Sequence, residues 1–212
     1  MRIDIFSDTV CPWCYIGKRH LEAALATSEY DDAAIHWHAF QLNPDLPPQG
    51  RDRREYVDAK FGGPQAVQAI QARIREAGKN AGIEFQFDKI NRTPNTFNSH
   101  RLIRLAETRN KGETMVETLF HAYFLDGLDI GDDTTLAKLA HGAGIQEDMS
   151  AWLAGEGERN TVLNDLRAGH EMSITGVPFF ILDNRYTLSG AQPVEIFMQA
   201  LNAAQQKSRN IN

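Results

Sequence analysis

The feature that most constrains this chain is the placement of its two cysteines, in Cys11-Pro12-Trp13-Cys14, where a strand pattern gives way to a helix pattern. Ile3 and Ile5 alternate with Asp4 and Phe6 as in a short strand, and Ser7-Asp8-Thr9 follows. Beyond the cysteines, Cys14, Gly17, Leu21, Ala24 and Ser28 recur at three- and four-residue steps, with Leu25 beside them, which is one face of an amphipathic helix. Pro12 lacks an N–H that a helix's first turn does not need, so the helix is expected to begin at Pro12 or Trp13. Ile35, Trp37 and Ala39 then alternate with His36, His38 and Phe40 as a second strand. The chain opens βαβ.

The strongest punctuation comes next, in Asn43-Pro44-Asp45-Leu46-Pro47-Pro48-Gln49-Gly50, and it marks a crossing into a second unit. The periods that follow are helical: Val67, Ile70, Ile74 and Ala77; Leu102, Leu105 and Ala106; Val116, Leu119, Phe120 and Tyr123. Asp132 or Asp133 can cap a further helix carrying Leu136, Leu139 and Ala140. One extended piece is expected at 83–87. A helix around Val162, Leu163 and Leu166 leads to Gly176-Val177-Pro178 and a strand at 179–182. A turn at Asp183-Asn184 gives a strand at 186–188, and a last helix shows Val194, Phe197, Met198 and Leu201 on one face. The order is βαβ, a long helical insert, then αββα.

Charge narrows the partners. With 22 Lys+Arg against 28 Asp+Glu the chain is acidic, which argues against non-specific binding to nucleic acid or to an anionic membrane. Arg51, Arg53 and Arg54 form the tight basic run, interrupted by Asp52 and Glu55. No apolar stretch approaches the roughly 20 residues of a spanning helix. A charged residue interrupts the first apolar run, unlike a signal peptide, so a cytoplasmic location is expected. In a reducing compartment a structural disulfide is disfavoured, and a bridge across so short a loop restricts the unfolded chain little. The cysteine spacing therefore asks for chemistry.

That chemistry divides between the two thiols. Cys11 precedes the helix, so its sulfur faces unpaired backbone N–H groups and the positive end of the helix dipole, which favour a thiolate. Cys11 is the expected nucleophile. Cys14 lies on the apolar stripe one turn later and is the expected resolving thiol. Half of a zinc site is the competing reading, but zinc usually takes four ligands. No other cysteine exists, and His36 and His38 lack the usual second-pair spacing, so no metal is expected. Pro178 is the second landmark. An X-Pro bond costs only about 0.5–1 kcal/mol to hold cis. Opposite Cys11, a cis Val177-Pro178 bond would turn the Val177 backbone into a rail for an extended peptide or for glutathione. On its own, such a proline is more often a trans residue opening a strand. Ser189-Gly190-Ala191-Gln192 before Pro193 is an anion-site candidate or an ordinary capped helix start. Asn98, His100 and Arg101 open a helix of the insert and, taken singly, read as caps and surface charges.

Ser7-Asp8-Thr9-Val10-Cys11-Pro12-Trp13-Cys14-Tyr15-Ile16-Gly17, Asn98-Ser99-His100-Arg101-Leu102, Ala122-Tyr123-Phe124-Leu125-Asp126-Gly127-Leu128-Asp129-Ile130, Gly176-Val177-Pro178-Phe179-Phe180 and Ser189-Gly190-Ala191-Gln192 occur in order over nearly the whole chain. Together they resemble the DsbA-like branch of the thioredoxin superfamily, and within it the cytosolic FrnE-like subgroup. The resemblance implies an α/β thioredoxin-like fold from residues 1–42 and 157–212, interrupted by a helical insertion domain at 43–156. It implies a thiol-disulfide oxidoreductase or protein disulfide isomerase with Cys11, Cys14 and a cis Pro178 as its catalytic residues. Pro12, Trp13, Val177, Ser189, Gly190, Ala191, Gln192, Asn98 and His100 are the implied contacts to substrate or glutathione. Substrates would be disulfide-containing proteins or glutathione mixed disulfides, with glutathione as a co-substrate, no tightly bound cofactor, and a homodimer open to the assembly. Trp13 departs from the strongly oxidising periplasmic relatives, which carry a histidine there, so their oxidising power is not carried over. The subgroup also grades into glutathione-dependent isomerases and kappa-class glutathione transferases acting on aromatic or polyketide-like molecules. In those a serine typically replaces the first cysteine and the second is absent. A redox-switched binding or chaperone module is the non-enzymatic alternative.

Overall fold

A computed structural model describes residues 1–27 and 33–209. Ser28, placed above on the helix stripe, lies outside the described residues. Three segments build the opening: strand β1 (Arg2–Ser7), helix α1 (Pro12–Ala26) and strand β2 (Ala34–Ala39). The closing segments are helix α8 (Arg159–Glu171), strands β5 (Phe179–Leu182) and β6 (Tyr186–Ser189), and helix α9 (Val194–Arg209). The four strands form one mixed sheet in the order β2-β1-β5-β6. β1 runs parallel to β2, with Ile5 opposite Trp37, and antiparallel to β5, with Ile5 opposite Phe180. The expected βαβ…αββα frame is thus present.

Both faces of the sheet are covered, which explains why β1 is buried at Asp4 and Phe6 as well as at Ile3 and Ile5. On one face Phe180 meets the Phe197 ring of α9 edge-on, at 4.8 Å between centroids, and approaches Gly17 of α1. On the other face Phe6 lies against Gly169 of α8. Asp4 and Asp165 face each other there across His38, whose Nε2 is 2.7 Å from Asp4 and whose Nδ1 is 2.9 Å from Asp165. Burial works against a charged imidazole, but these hydrogen bonds outweigh it and raise the pKa of His38. His38 is therefore a structural pin between strands and α8, and no group of three His, Cys, Asp or Glu side chains among the described residues is arranged to hold a metal ion.

Between β2 and α8 the chain is mainly helical: α2 (Arg53–Phe61), α3 (Pro64–Asn80), α4 (Phe97–Glu107), α5 (Gly112–Phe124), α6 (Asp133–Gly142) and α7 (Met149–Ala154). Asp132 is the cap of α6, accepting from the Thr135 N–H at 2.8 Å. Two-residue strands β3 (Arg51–Asp52) and β4 (Arg92–Thr93) pair antiparallel ahead of α2 and α4. The extended piece expected at 83–87 is not a strand. Ile83, Phe85 and Phe87 are buried in alternation, yet the backbone bonds are Ile83 N–H to Gly78 O and Gln86 N–H to Phe124 O, with no ladder partner. One apolar cluster runs from Ile3 and Phe180 through Tyr15 to Phe120 and Leu136, so the helices share a core with the sheet.

Candidate active site

The turn after β1 positions the first thiol. The Cys11 N–H donates to Asp8 O at 2.9 Å, and Cys11 is the N-cap of α1, extended at φ −93° and ψ 111°, with Pro12 entering the first turn. No side chain caps this helix; Pro12 has no N–H and the Cys14 and Tyr15 N–H groups donate to Cys11 O, so the Trp13 N–H is the leading donor left for a group at the Cys11 sulfur. Thr9 Oγ1 lies 2.8 Å from Ser99 Oγ, fixing the turn to α4. Asp8, fully buried, accepts from the Leu42 N–H at 2.7 Å. Its second oxygen, Oδ1, has no hydrogen-bond partner, although His100 Nε2 is 3.4 Å away. That nitrogen is 3.0 Å from Phe40 O, a pure acceptor, so Nε2 carries the proton.

Both cysteines are free thiols, and both are buried in the resting fold. Cys14, 1% exposed, has its pKa pushed well above the ordinary thiol value, first by burial and then by the adjacent Cys11. Cys11 Sγ donates to Val177 O at 3.5 Å. The Val177-Pro178 bond is cis, as expected. Pro178 is held by the Gly190 N–H, which donates to its carbonyl at 2.8 Å, and by close contact with α1. A Cβ on Gly17 would lie 3.0 Å from Pro178 Cγ and 3.1 Å from Phe180 Cζ. A side chain there would push Pro178 or Phe180 back by a few tenths of an ångström, so glycine lets the helix lie this near the proline.

The expected contact residues separate into those beside the thiol and those elsewhere. Pro12, Trp13 and Val177 line a cavity of about 320 Å³ that opens on Cys11. The loop 189–192 sits behind Pro178, and its donors are partly spent: Gly190 N–H on Pro178 O and Gln192 N–H on Gly190 O. Gln192 also ties to α1, its carbonyl 2.8 Å from His20 Nδ1, while its side-chain amide donates to Ser189 O. The loop braces the proline, and convergent free N–H groups are not its character. Asn98 is likewise engaged away from the cavity, donating to Asp133 at 2.9 Å and accepting from Arg101. His100, bonded to Phe40 O and near Asp8, lies beneath the turn and outside the cavity wall.

Sequence reasoning missed the far wall of the cavity, which the inserted helices supply. Arg53, half-buried at the start of α2, donates to Tyr123 Oη at 2.9 Å, with its guanidinium also near the Phe87 ring. Burial pushes the Tyr123 hydroxyl up to about 12. Thr93, Tyr56, Lys60, Asn43 and Gln71 complete the polar lining. Arg53 belonged to the basic run noted in the sequence, but nothing local in it says that it turns inward.

A model of the DSBA-like thioredoxin domain matches residues 2–202. The chain belongs to that family. Its members are thiol-disulfide oxidoreductases. YwbO of Bacillus subtilis, itself uncharacterized, is 27% identical over 212 residues, or 98% of each chain. Among solved structures, the probable DsbA oxidoreductase SCO1869 from Streptomyces coelicolor is 35% identical. It superposes with a TM-score of 0.89 over 97% of this chain and 90% of that one. The cytosolic disulfide reductase DsbM from Pseudomonas aeruginosa, solved with GSH, shares the fold at 16% identity and a TM-score of 0.64, over 99% of this chain and 98% of its own. No helix among the described residues is long and apolar enough to cross a membrane.

Proposed function

We propose that the chain is a cytoplasmic, FrnE-like thiol-disulfide oxidoreductase, able to act as a disulfide isomerase, with Cys11 as nucleophile and Cys14 as resolving thiol. The observation that carries this reading is the juxtaposition of Cys11, at an uncapped helix start, with the Val177 carbonyl 3.5 Å away. A substrate disulfide laid along Val177 brings one sulfur to Cys11. The thiolate attacks it, the disulfide breaks, and a Cys11 mixed disulfide forms as the other substrate thiolate departs. Cys14 then gives up its proton and attacks Cys11 Sγ, releasing the second substrate thiol and leaving the internal disulfide. Its burial keeps Cys14 protonated and unreactive until that point. Disulfide-bearing proteins and glutathione mixed disulfides are the partners of this reading, glutathione being a co-substrate rather than a bound cofactor. The presence of both cysteines favours it over glutathione-dependent isomerisation.

The test is trapping. Cys14→Ser should accumulate a covalent mixed disulfide with substrate, while Cys11→Ser should accumulate none and lose turnover by at least about a thousandfold. Mass mapping after alkylation reads out both. Full turnover in Cys11→Ser overturns the assignment.

A further inference from the structure

The cavity beside Cys11 carries a charge pattern opposite to that of the chain. Against a formal net charge of −6, its lining contains Arg53 and Lys60 and, among the described residues, neither Asp nor Glu. Arg53 has no carboxylate within ion-pair distance among the described residues; its guanidinium donates to Tyr123 Oη. A second, independent feature lies in the same wall. Thr93 is 3% exposed, and its Oγ1 is buried with no hydrogen-bond partner. Buried hydroxyls are normally satisfied, so an orphan one in a cavity wall marks a place for a ligand atom. The two are brought together by β3 and β4: Thr93 pairs with Arg51, and the Arg53 N–H donates to Asn91 O at 3.0 Å. Apart from the neutral amides of Asn43 and Gln71, the rest of the lining is mainly apolar and aromatic, including Trp13, Tyr56, Phe87 and Ile74.

We infer that the cavity selects small disulfides in which the sulfur is joined to an apolar ring bearing a carboxylate. The ring packs between the aromatic walls, the carboxylate accepts from Arg53 and from the Thr93 hydroxyl, and the disulfide reaches Cys11. A volume of about 320 Å³ suits one aryl half of such a molecule. This inference rests on the dithiol chemistry proposed above and names its substrate class. In the reaction the Cys11 thiolate breaks the aryl disulfide, one aryl thiolate leaves, and Cys14 displaces the second. Two electrons pass from the dithiol to the substrate, the Cys14 proton leaves with the departing thiols, and the chain ends as the Cys11–Cys14 disulfide.

The experiment is a single turnover of the fully reduced protein with a meta-carboxyphenyl disulfide and with its methyl ester, followed by aryl thiolate absorbance. Each rate is divided by that of free dithiothreitol to remove intrinsic reactivity. A charge-assisted hydrogen bond predicts an acid-over-ester preference of about tenfold or more for the wild type. Arg53→Gln should bring the ratio close to unity, and Arg53→Lys should restore part of it. Thr93→Val, which keeps the shape and removes the hydroxyl, should lower it by about threefold. A wild-type ratio near unity, or a ratio unmoved by Arg53→Gln, overturns the inference. Should Arg53→Gln fail to fold, an unmoved ratio in Thr93→Val does so instead. If the wild type consumes neither compound while both thiols titrate, the dithiol reading itself is what fails.

Discussion

Two clusters of charge meet the sequence around the active-site helix, and they are built oppositely. On the outer side of α1, Lys18 is 4% exposed and lies 2.9 Å from Glu117 of α5, while Arg19 reaches the other oxygen of Glu117 at 2.5 Å. Tyr15 donates to Glu117 at 2.7 Å, and Glu22 pairs with both cations. Burial alone would raise the Glu117 pKa, but the hydrogen bonds from Tyr15 and Lys18 bring it below the ordinary value. Every charge there is answered within the fold. In the cavity wall, Arg53 and Lys60 meet neutral partners, Tyr123 and Asn43, with no carboxylate in ion-pair distance among the described residues, and Thr93 has no partner. Compensated charge fastens α1 to the inserted helices; uncompensated charge is held out toward whatever enters. The contrast separates architecture from recognition within one helix's surroundings.

The largest effect expected from this contrast is on stability. Breaking a buried pair costs about 3–5 kcal/mol, and partial exposure of Glu117 together with the remaining Glu22 brings the figure for Glu117→Ala to about 2 kcal/mol. Arg53→Gln should cost less than about 1 kcal/mol in the same urea titration, since it forfeits one hydrogen bond. Equal losses would erase the distinction. His38 offers a pH-dependent version. Its folded pKa is raised, so its stabilisation is complete below the unfolded value of about 6.5 and fades as pH climbs through the folded one. The stability gap between wild type and His38→Gln should therefore shrink as pH rises from about 6 to 8.5. Subtracting the variant matters because the His36 pKa is lowered, by burial and then by Arg2. A gap that stays constant means that the fold leaves the His38 pKa unshifted, and a gap that widens with pH means that the fold holds the ring neutral. Smallest of all is Thr93→Val, whose melting temperature should hold or rise slightly, since a buried hydroxyl without a partner gives nothing back. A clear drop would reveal an internal partner and weaken the cavity's contrast with the α1 cluster.

The sequence revealed those parts whose cause is local. Pro12 after Cys11 and the spacing of Cys14, Gly17, Leu21 and Ala24 are consequences of helix geometry, and the helix begins and packs accordingly. Helix α2 escaped because it has a single buried residue, Val57, and so no apolar stripe; it stands on its caps instead. Those caps were readable: Asp52 accepts from the Glu55 N–H at 3.0 Å, and Gly62 closes the helix in the left-handed region. Helix α7 is also capped, Asp148 accepting from the Ala151 N–H, but it has only six residues in which to show its buried Met149 and Leu153. At 83–87 the twofold alternation of buried side chains was real, but Phe85 fills the space a side chain on Gly78 would take, and packing against a helix leaves no strand to pair with. The cavity wall was illegible for a different reason. Arg53, Thr93 and Tyr123 come from three segments, and only β3 pairing with β4 and the seating of α5 bring them near Cys11.

The sheet order β2-β1-β5-β6 places the last strands against the first, and this sets a schedule for a chain made from its amino terminus. Cys11 and Val177 are 166 residues apart. At about 5–20 residues per second, a ribosome takes roughly 8–33 s to travel between them. For that interval the nascent chain carries a pair of thiols with neither the β5 strand beside β1 nor the α9 helix beside α1. The dithiol is thus born well before its pocket, and only release of the final helix closes the fold around it.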